Sequence, residues 1–280
     1  MRLTDAVKSF VGKGYSLRWW NRIFFALTSF SNTPEDRLLR MLNMKGTTVY
    51  DIGAHIGTKT MLFAKKAERV IAFEPNPESF SQLLSNMSEH HLKNVIAFNV
   101  GLGSRNEETT LVARAFSTAT GSVSPLVCKT WKKGTYREWK VKLRTLDSFA
   151  LPSPDLVKID VEGHEYEVLE GMHETLKCGS TILIELHGID PREARANIDK
   201  IMRLLNRANY KIYHVETWRS LSSERPTSGH ILAVRARLTG MSVVTTSYDE
   251  HARNNEAQRS FTAVCCSTAE SYERSNLSYK

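Results

Sequence analysis

Apolar positions recur along this chain with two periods. Short β-branched and aromatic runs alternate with stretches spaced as one face of a helix. Thr48 to Ile52 is the first such run, broken by Gly53 and Gly57 and followed by apolar residues at helical spacing. This predicts a strand, a tight turn and a helix from Thr58 to Lys66. Arg69 to Glu74 predicts a second strand. Phe80, Leu83, Leu84 and Met87 at i, i+3, i+4 and i+7 predict a helix whose stripe is core. Asn94 to Val100 predicts a third strand, running into Gly101-Leu102-Gly103. Asp155 to Asp160 predicts a fourth, with a single helix after it carrying Val168, Leu169, Met172 and Leu176. Thr181 to His187 predicts a fifth. Ala194, Ile198, Ile201, Leu205 and Ala208 line one face of a long helix opened by Asp190-Pro191. Tyr210 to Glu216 and His230 to Arg237 predict two closing strands in antiparallel pairing.

Three regions break this alternation. Residues 105–144 hold a strand at 109–115, a polar loop at 118–125 and an alternating strand at 139–146, which predicts an antiparallel β insertion beside the working edge of the sheet. Residues 1–32 mix basic and aromatic side chains. After Gly240 the chain turns to Ser, Thr, Asn, Glu and Arg without periodicity, the pattern of a disordered tail at 241–280. The expected organisation is an N-terminal segment 1–32, an α/β domain 33–240 with the insertion, and the tail. A helix opens after Thr33, with Pro34 in its first turn and Asp36 as capping partner.

Composition narrows the classes. The 280 residues are 41% hydrophobic and 24% charged, ordinary for a globular protein. No apolar run reaches the roughly 20 residues of a membrane span. Cys128, Cys178, Cys265 and Cys266 show neither metal-ligand spacing nor a disulfide framework, which points to a cytoplasmic setting. The net charge of +8 concentrates in two places: residues 1–33 hold five Lys/Arg against one Asp, and residues 128–144 hold seven against one Glu. Such clusters suit an anionic partner or simple solvation. The stretch 15–30 also suits weak contact with a membrane surface, or packing over a substrate pocket.

The candidate chemistry lies at the predicted strand tips, where open α/β sheets bind ligands. Asp51 ends the first strand. Gly53 and Gly57 let the backbone turn sharply toward a ligand. Glu74 ends the second strand, 23 positions after Asp51, a register that suits ribose hydroxyls. Gly101 follows the third strand on the side of a nucleotide base, and Asp160 ends the fourth. Asp51, Gly53, Gly57, Glu74, Gly101 and Asp160 are therefore the candidate cofactor positions. Glu162 and His164 follow Asp160, and Glu185 and His187 end the fifth strand. His164 is the candidate general base, with Glu185 and Glu162 beside it. Asp160 is also placed to cap the following helix, and His187 to brace Glu185. These carboxylates and imidazoles are of the type that hold a divalent metal, and their spacing does not demand one. Lys132, Lys133, Arg137 and Lys140 are the candidates for holding an anionic part of an acceptor.

The D-x-G-x-x-x-G run with its later acidic residue resembles the S-adenosylmethionine site of class I methyltransferases. Thr145-Leu146-Asp147-Ser148-Phe149, Lys158-Ile159-Asp160-Val161-Glu162-Gly163-His164-Glu165 and Val168-Leu169-Glu170-Gly171 resemble the FkbM methyltransferase family, as do Val49 to Gly57, Phe73 to Pro77 and Ile184 to His187. The resemblance implies a doubly wound, Rossmann-like class I sheet with an antiparallel last strand. It implies S-adenosyl-L-methionine as donor and O-methylation of a hydroxyl on a sugar, glycolipid or secondary metabolite. It carries Asp51, Gly53 and Glu74 over as cofactor positions and fixes no base. A ribose 2′-O RNA methyltransferase is the alternative the charge suggests. Asp160 and Glu185 could stand for two of that class's acids, but no Lys closely follows the fifth strand. A non-catalytic module that keeps the fold is the other alternative; it predicts lost cofactor positions, and all of them stand intact.

Overall fold

The apolar runs sort into a sheet because the central ones have no polar face. In β1 (Thr48–Ile52), β2 (Arg69–Phe73) and β8 (Leu156–Ile159), nearly every residue is buried. That is the pattern of parallel strands covered by helices on both faces. The computed structural model describes residues 33–114, 117–123, 136–187, 191–222 and 224–235. The predicted N-terminal segment, the tail, Asp190, Lys132 and Lys133 lie outside them.

The remaining elements follow in order. They are α1 (Pro34–Met41), α2 (Thr58–Ala64), α3 (Pro77–Glu89), β3 (Val95–Phe98), β4 (Gly101–Leu102), β5 (Glu107–Arg114), β6 (Ser117–Ser122), β7 (Tyr136–Arg144), a 3-10 turn (Leu146–Ser148), α4 (Glu165–Glu170), α5 (His173–Lys177), β9 (Thr181–Leu186), α6 (Pro191–Arg207), β10 (Tyr210–His214), β11 (Arg219–Ser220) and β12 (Gly229–Arg235). The main sheet runs β11-β10-β12-β9-β8-β1-β2-β3. Strands β3, β2, β1, β8 and β9 are parallel, and β12 enters antiparallel between β9 and β10. Strand order reverses at β1, so the crevice between the tips of β1 and β8 is the switch point at which such sheets bind ligands.

The predicted Thr33 cap is present, and Asn76 caps α3. Thr33 Oγ1 accepts from the Asp36 N–H at 3.1 Å, and Asn76 Oδ1 accepts from the Glu78 N–H at 2.9 Å. One face of the sheet buries Leu39, Phe63, Val70 and Leu156 under α1 and α2; the other buries Ile159, Leu169, Ile184 and Ile201 under α4 and α6.

Four expectations change. Most of the polar loop expected at 118–125 is strand β6, paired antiparallel with β5. The third strand stops at Phe98, and Gly101–Leu102 leaves the main sheet to pair in parallel with β7. The insertion is thereby a four-stranded sheet, β4-β7-β5-β6, anchored on the nucleotide-side loop. The single helix expected after Gly163 is two, parted at Gly171, where the Gly103 carbonyl oxygen comes so close that a Cβ would lie 2.0 Å from it. The chain breaks where that loop approaches, and Asp147 accepts the N–H groups of Glu174 and Thr175 at the start of α5. The short β11, pairing with β10, has no sequence signal.

Candidate functional site

The Gly53 turn is built for close approach. Gly53 has φ +84°, and a Cβ there would sit 1.8 Å from the Asp160 carbonyl oxygen. Only glycine lets the β1 and β8 tips come together here. Gly57 (φ +91°) serves packing instead: a Cβ would meet Leu83 Cδ1 of α3 at 2.5 Å. It lines neither of the cavities described below.

Asp51 is 1% exposed. Its Oδ2 accepts from Thr60 Oγ1 at 2.6 Å, while Oδ1 has no hydrogen-bond partner. Burial raises its pKa, against the pull of the Lys158 ammonium and the Thr60 hydroxyl. Glu74 is held by two backbone donors, His55 N–H on Oε2 and Asn76 N–H on Oε1, both at 2.7 Å. Burial pushes its pKa up to about 7 despite those two hydrogen bonds. Each oxygen keeps a lone pair for a ligand hydroxyl.

Asp160 does not cap α4, which begins only at Glu165 after an N-cap at His164. Its Oδ2 accepts from Lys158 Nζ at 2.9 Å. Burial opposes ionisation of Asp160, but Lys158 and His187 hold its carboxyl down at about 2. Lys158 is 2% exposed in the middle of β8. Burial disfavours its ammonium, yet Asp160, Glu35 and Asp51 around it keep the pKa above the ordinary lysine range. The sequence reading took Lys158 for part of a motif and missed this role. It also missed Glu35 of α1, whose Oε2 lies 2.9 Å from Lys59 Nζ.

At the β8 and β9 tips the expected cluster assembles around His187. Its Nδ1 lies 2.9 Å from Glu165 Oε1. Glu165 is fully buried and also accepts from Gly163 N–H and Asn197 Nδ2. Nε2 faces Glu162 Oε2 and Glu185 Oε1 at 3.7 Å and Asp160 Oδ1 at 3.9 Å. Burial opposes the charge on His187, but the Glu165 hydrogen bond and the surrounding carboxylates raise its pKa to about 10. His187 is thus the cationic hub of the cluster rather than a brace for Glu185 alone. Burial and the neighbouring carboxylates push Glu162 up to about 7, against the pull of His187.

A cavity of about 240 Å³ gathers most of the expected residues. Gly53, Glu74, Gly101 and Asp160 line it together with Glu162, His164 and Glu185. Leu111, Gly121 and Leu143 of the second sheet close one wall. Burial lowers the His164 pKa against the pull of Glu167, Glu165 and Glu107, so its imidazole is neutral near pH 7. A second cavity, about 470 Å³, adjoins the first across Gly53, His55 and Asp160. Among the described residues no Lys or Arg of the insertion lines either cavity. Arg137 pairs with Glu78 at 2.8 Å, and Lys140 donates to Thr110 Oγ1 on the face of β7 opposite Val141 and Leu143.

The pattern described as "Methyltransferase FkbM domain" matches residues 51–212, more than half of the chain. The protein belongs to the FkbM methyltransferase family. Its sheet is accordingly the class I methyltransferase architecture. It is 33% identical over 163 residues to the hexuronic acid methyltransferase AglP of Haloferax volcanii, a match covering 56% of this chain and 63% of AglP. It is 29% identical over 147 residues to Methyltransferase 1 of Beauveria bassiana, covering 45% of this chain and 58% of that protein. The chain thus spans about three fifths of these relatives. A methyltransferase FkbM structure from Methylobacillus flagellatus KT matches at 16% identity and a TM-score of 0.44, over 67% of this chain and 43% of that one. Among the described residues no helix is long and apolar enough to cross a membrane.

Proposed function

We propose that this FkbM-family protein transfers the methyl group of S-adenosyl-L-methionine to a hydroxyl oxygen of a sugar or glycan. One observation carries the reading. A single cavity joins the donor positions Gly53, Glu74, Gly101 and Asp160 to the acid–base cluster His164, Glu162 and Glu185. The residues fit the donor. Glu74 is oriented by two backbone N–H groups, the Gly53 turn leaves room that a side chain would fill, and Asp51 keeps an unpaired buried oxygen.

When bound, the donor supplies an electrophilic methyl group on sulfur. Glu74 would hold the ribose hydroxyls, and Gly101 and Leu102 would lie on the side of the base. Methyl transfer is mostly alignment, so the cavity wall contributes by fixing the acceptor oxygen in line. His164 would take the proton of the acceptor hydroxyl as it is methylated, leaving the donor as its thioether. Glu185 and Glu162 orient the acceptor. The named acceptor of AglP, hexuronic acid, supports a sugar as the acceptor class.

The test is transfer of labelled methyl from S-adenosylmethionine into a panel of sugars and glycans. Label stable to mild alkali marks a methyl ether and supports the reading. Alkali-labile label marks a methyl ester and overturns hydroxyl transfer. Label entering RNA in preference to every glycan would move the assignment to a ribose methyltransferase.

A further inference from the structure

The second cavity is lined by two buried carboxylates, each with one oxygen that accepts no hydrogen bond; Glu35 Oε1 has only the Lys158 ammonium, 3.9 Å away. Asp51 Oδ1 and Glu35 Oε1 both lack a hydrogen-bond partner, and their residues are 1% and 5% exposed. Both residues line this cavity. In each, the other oxygen is fixed, Asp51 Oδ2 by Thr60 Oγ1 and Glu35 Oε2 by Lys59 Nζ. Each carboxylate is therefore held in orientation with one oxygen left over. A buried acceptor without a donor costs on the order of 1–3 kcal/mol, and more when charged. Such pairs persist where a ligand completes them.

The charged lining of the cavity is balanced, with four carboxylates and four cationic side chains. That suits a zwitterion better than a bare cation or anion. The cavity opens beside Gly53 and Asp160, next to the donor positions.

We propose that Glu35, on α1, binds the α-ammonium of the donor's amino-acid end together with Asp51, and so selects the complete donor over its adenosine fragment. This rests on the S-adenosylmethionine reading above. Glu35 lies outside residues 51–212, so this contribution comes from a helix beyond the part of the chain that matches the family. Lys59 is a positioning residue in this arrangement: it bridges Glu35 Oε2 and Asp36, and so leaves Glu35 Oε1 without a hydrogen bond.

Calorimetry on the full chain tests it without any acceptor. The probes are S-adenosylhomocysteine, its deaminated analogue, its decarboxylated analogue and 5′-methylthioadenosine. Wild type should bind S-adenosylhomocysteine more tightly than the deaminated analogue. Glu35→Gln should weaken both amine-bearing probes roughly ten- to a hundredfold, the loss of one charged hydrogen bond. It should leave the deaminated analogue and 5′-methylthioadenosine unchanged, which also shows that the variant is folded. Equal wild-type affinity for S-adenosylhomocysteine and its deaminated analogue overturns the proposal. So does a Glu35→Gln protein that keeps full affinity for the amine-bearing probes, or that loses all four probes alike. Failure of the wild type to bind any of the four defeats the donor reading itself.

Discussion

His164, the proposed general base, lines the same cavity as Asp160 and Glu185, and burial lowers its pKa. A positioned base contributes about 10²–10⁴-fold. His164→Ala should lower turnover by that factor while leaving affinity for S-adenosylhomocysteine within twofold. Full turnover in the variant would mean that alignment alone suffices or that another group takes the proton. The sequence pattern brought out His164, Glu162 and Glu185 because all three follow strand tips. It hid Lys158 and Glu35 for different reasons. A lysine in a short apolar strand looks like an outward-facing residue until both faces of that strand prove covered. Glu35 meets Lys59, Lys158 and His230 only through tertiary folding, so no local spacing marks it.

The elements around the site are joined through contacts that no local pattern encodes. The main strands and the Thr33 cap were legible because they depend on neighbours in sequence. The break between α4 and α5 was not, since it depends on the Gly103 carbonyl meeting Gly171. Gly171 has φ −88°, so alanine there is a purely steric insult. Gly171→Ala should destabilise the protein by about 1–3 kcal/mol, the cost of overpacking, seen as a clear fall in melting temperature. An unchanged melting temperature would show that the β4 loop yields freely.

The His187 cluster ties α4, α6, β8 and β9 together and makes stability depend on pH. The folded-state pKa of His187 is raised from 6.5 to about 10 and that of His230 to about 9. Their stabilising contribution is therefore fully present below pH 6.5 and is lost as pH rises through 9 to 10. Melting temperature should fall between pH 7 and 10.5. His187→Gln, which can still donate to Glu165, should be less stable at pH 7 and show a shallower fall. Parallel curves for the two proteins would remove His187 from the account.

For the whole molecule, the pattern of residues 33–240 accounts for a complete sheet with both faces covered, and the family match falls inside it. The charge excess of residues 128–144 reads differently once β7 is placed. Lys140 and Lys142 are exposed on the strand face turned away from Val141 and Leu143. Period-two alternation put Lys140 and Lys142 on one face, but the sequence could not say which face the cavity would take. Beyond Gly240 the absence of apolar periodicity predicts that the chain folds without residues 241–280. A chain ending at Gly240 should keep its melting temperature and donor affinity within error. A drop in either would show that the C-terminal residues dock on the domain.

The central claim is that the tips of β1, β2 and β8 hold S-adenosylmethionine, with Glu74 on its ribose. Glu74 has its pKa raised to about 7 and must be ionised to accept both hydroxyl groups fully. Titration calorimetry with S-adenosylhomocysteine at pH 8 and pH 6, on wild type and Glu74→Gln, addresses this directly. The predicted result is one site per chain that weakens from pH 8 to pH 6 in the wild type. In Glu74→Gln, affinity at pH 8 should fall by roughly 1.5–3 kcal/mol, the worth of a hydrogen bond to a charged group, with little pH dependence left. Equal affinities in the two proteins at pH 8, or no binding by the wild type, would contradict the account.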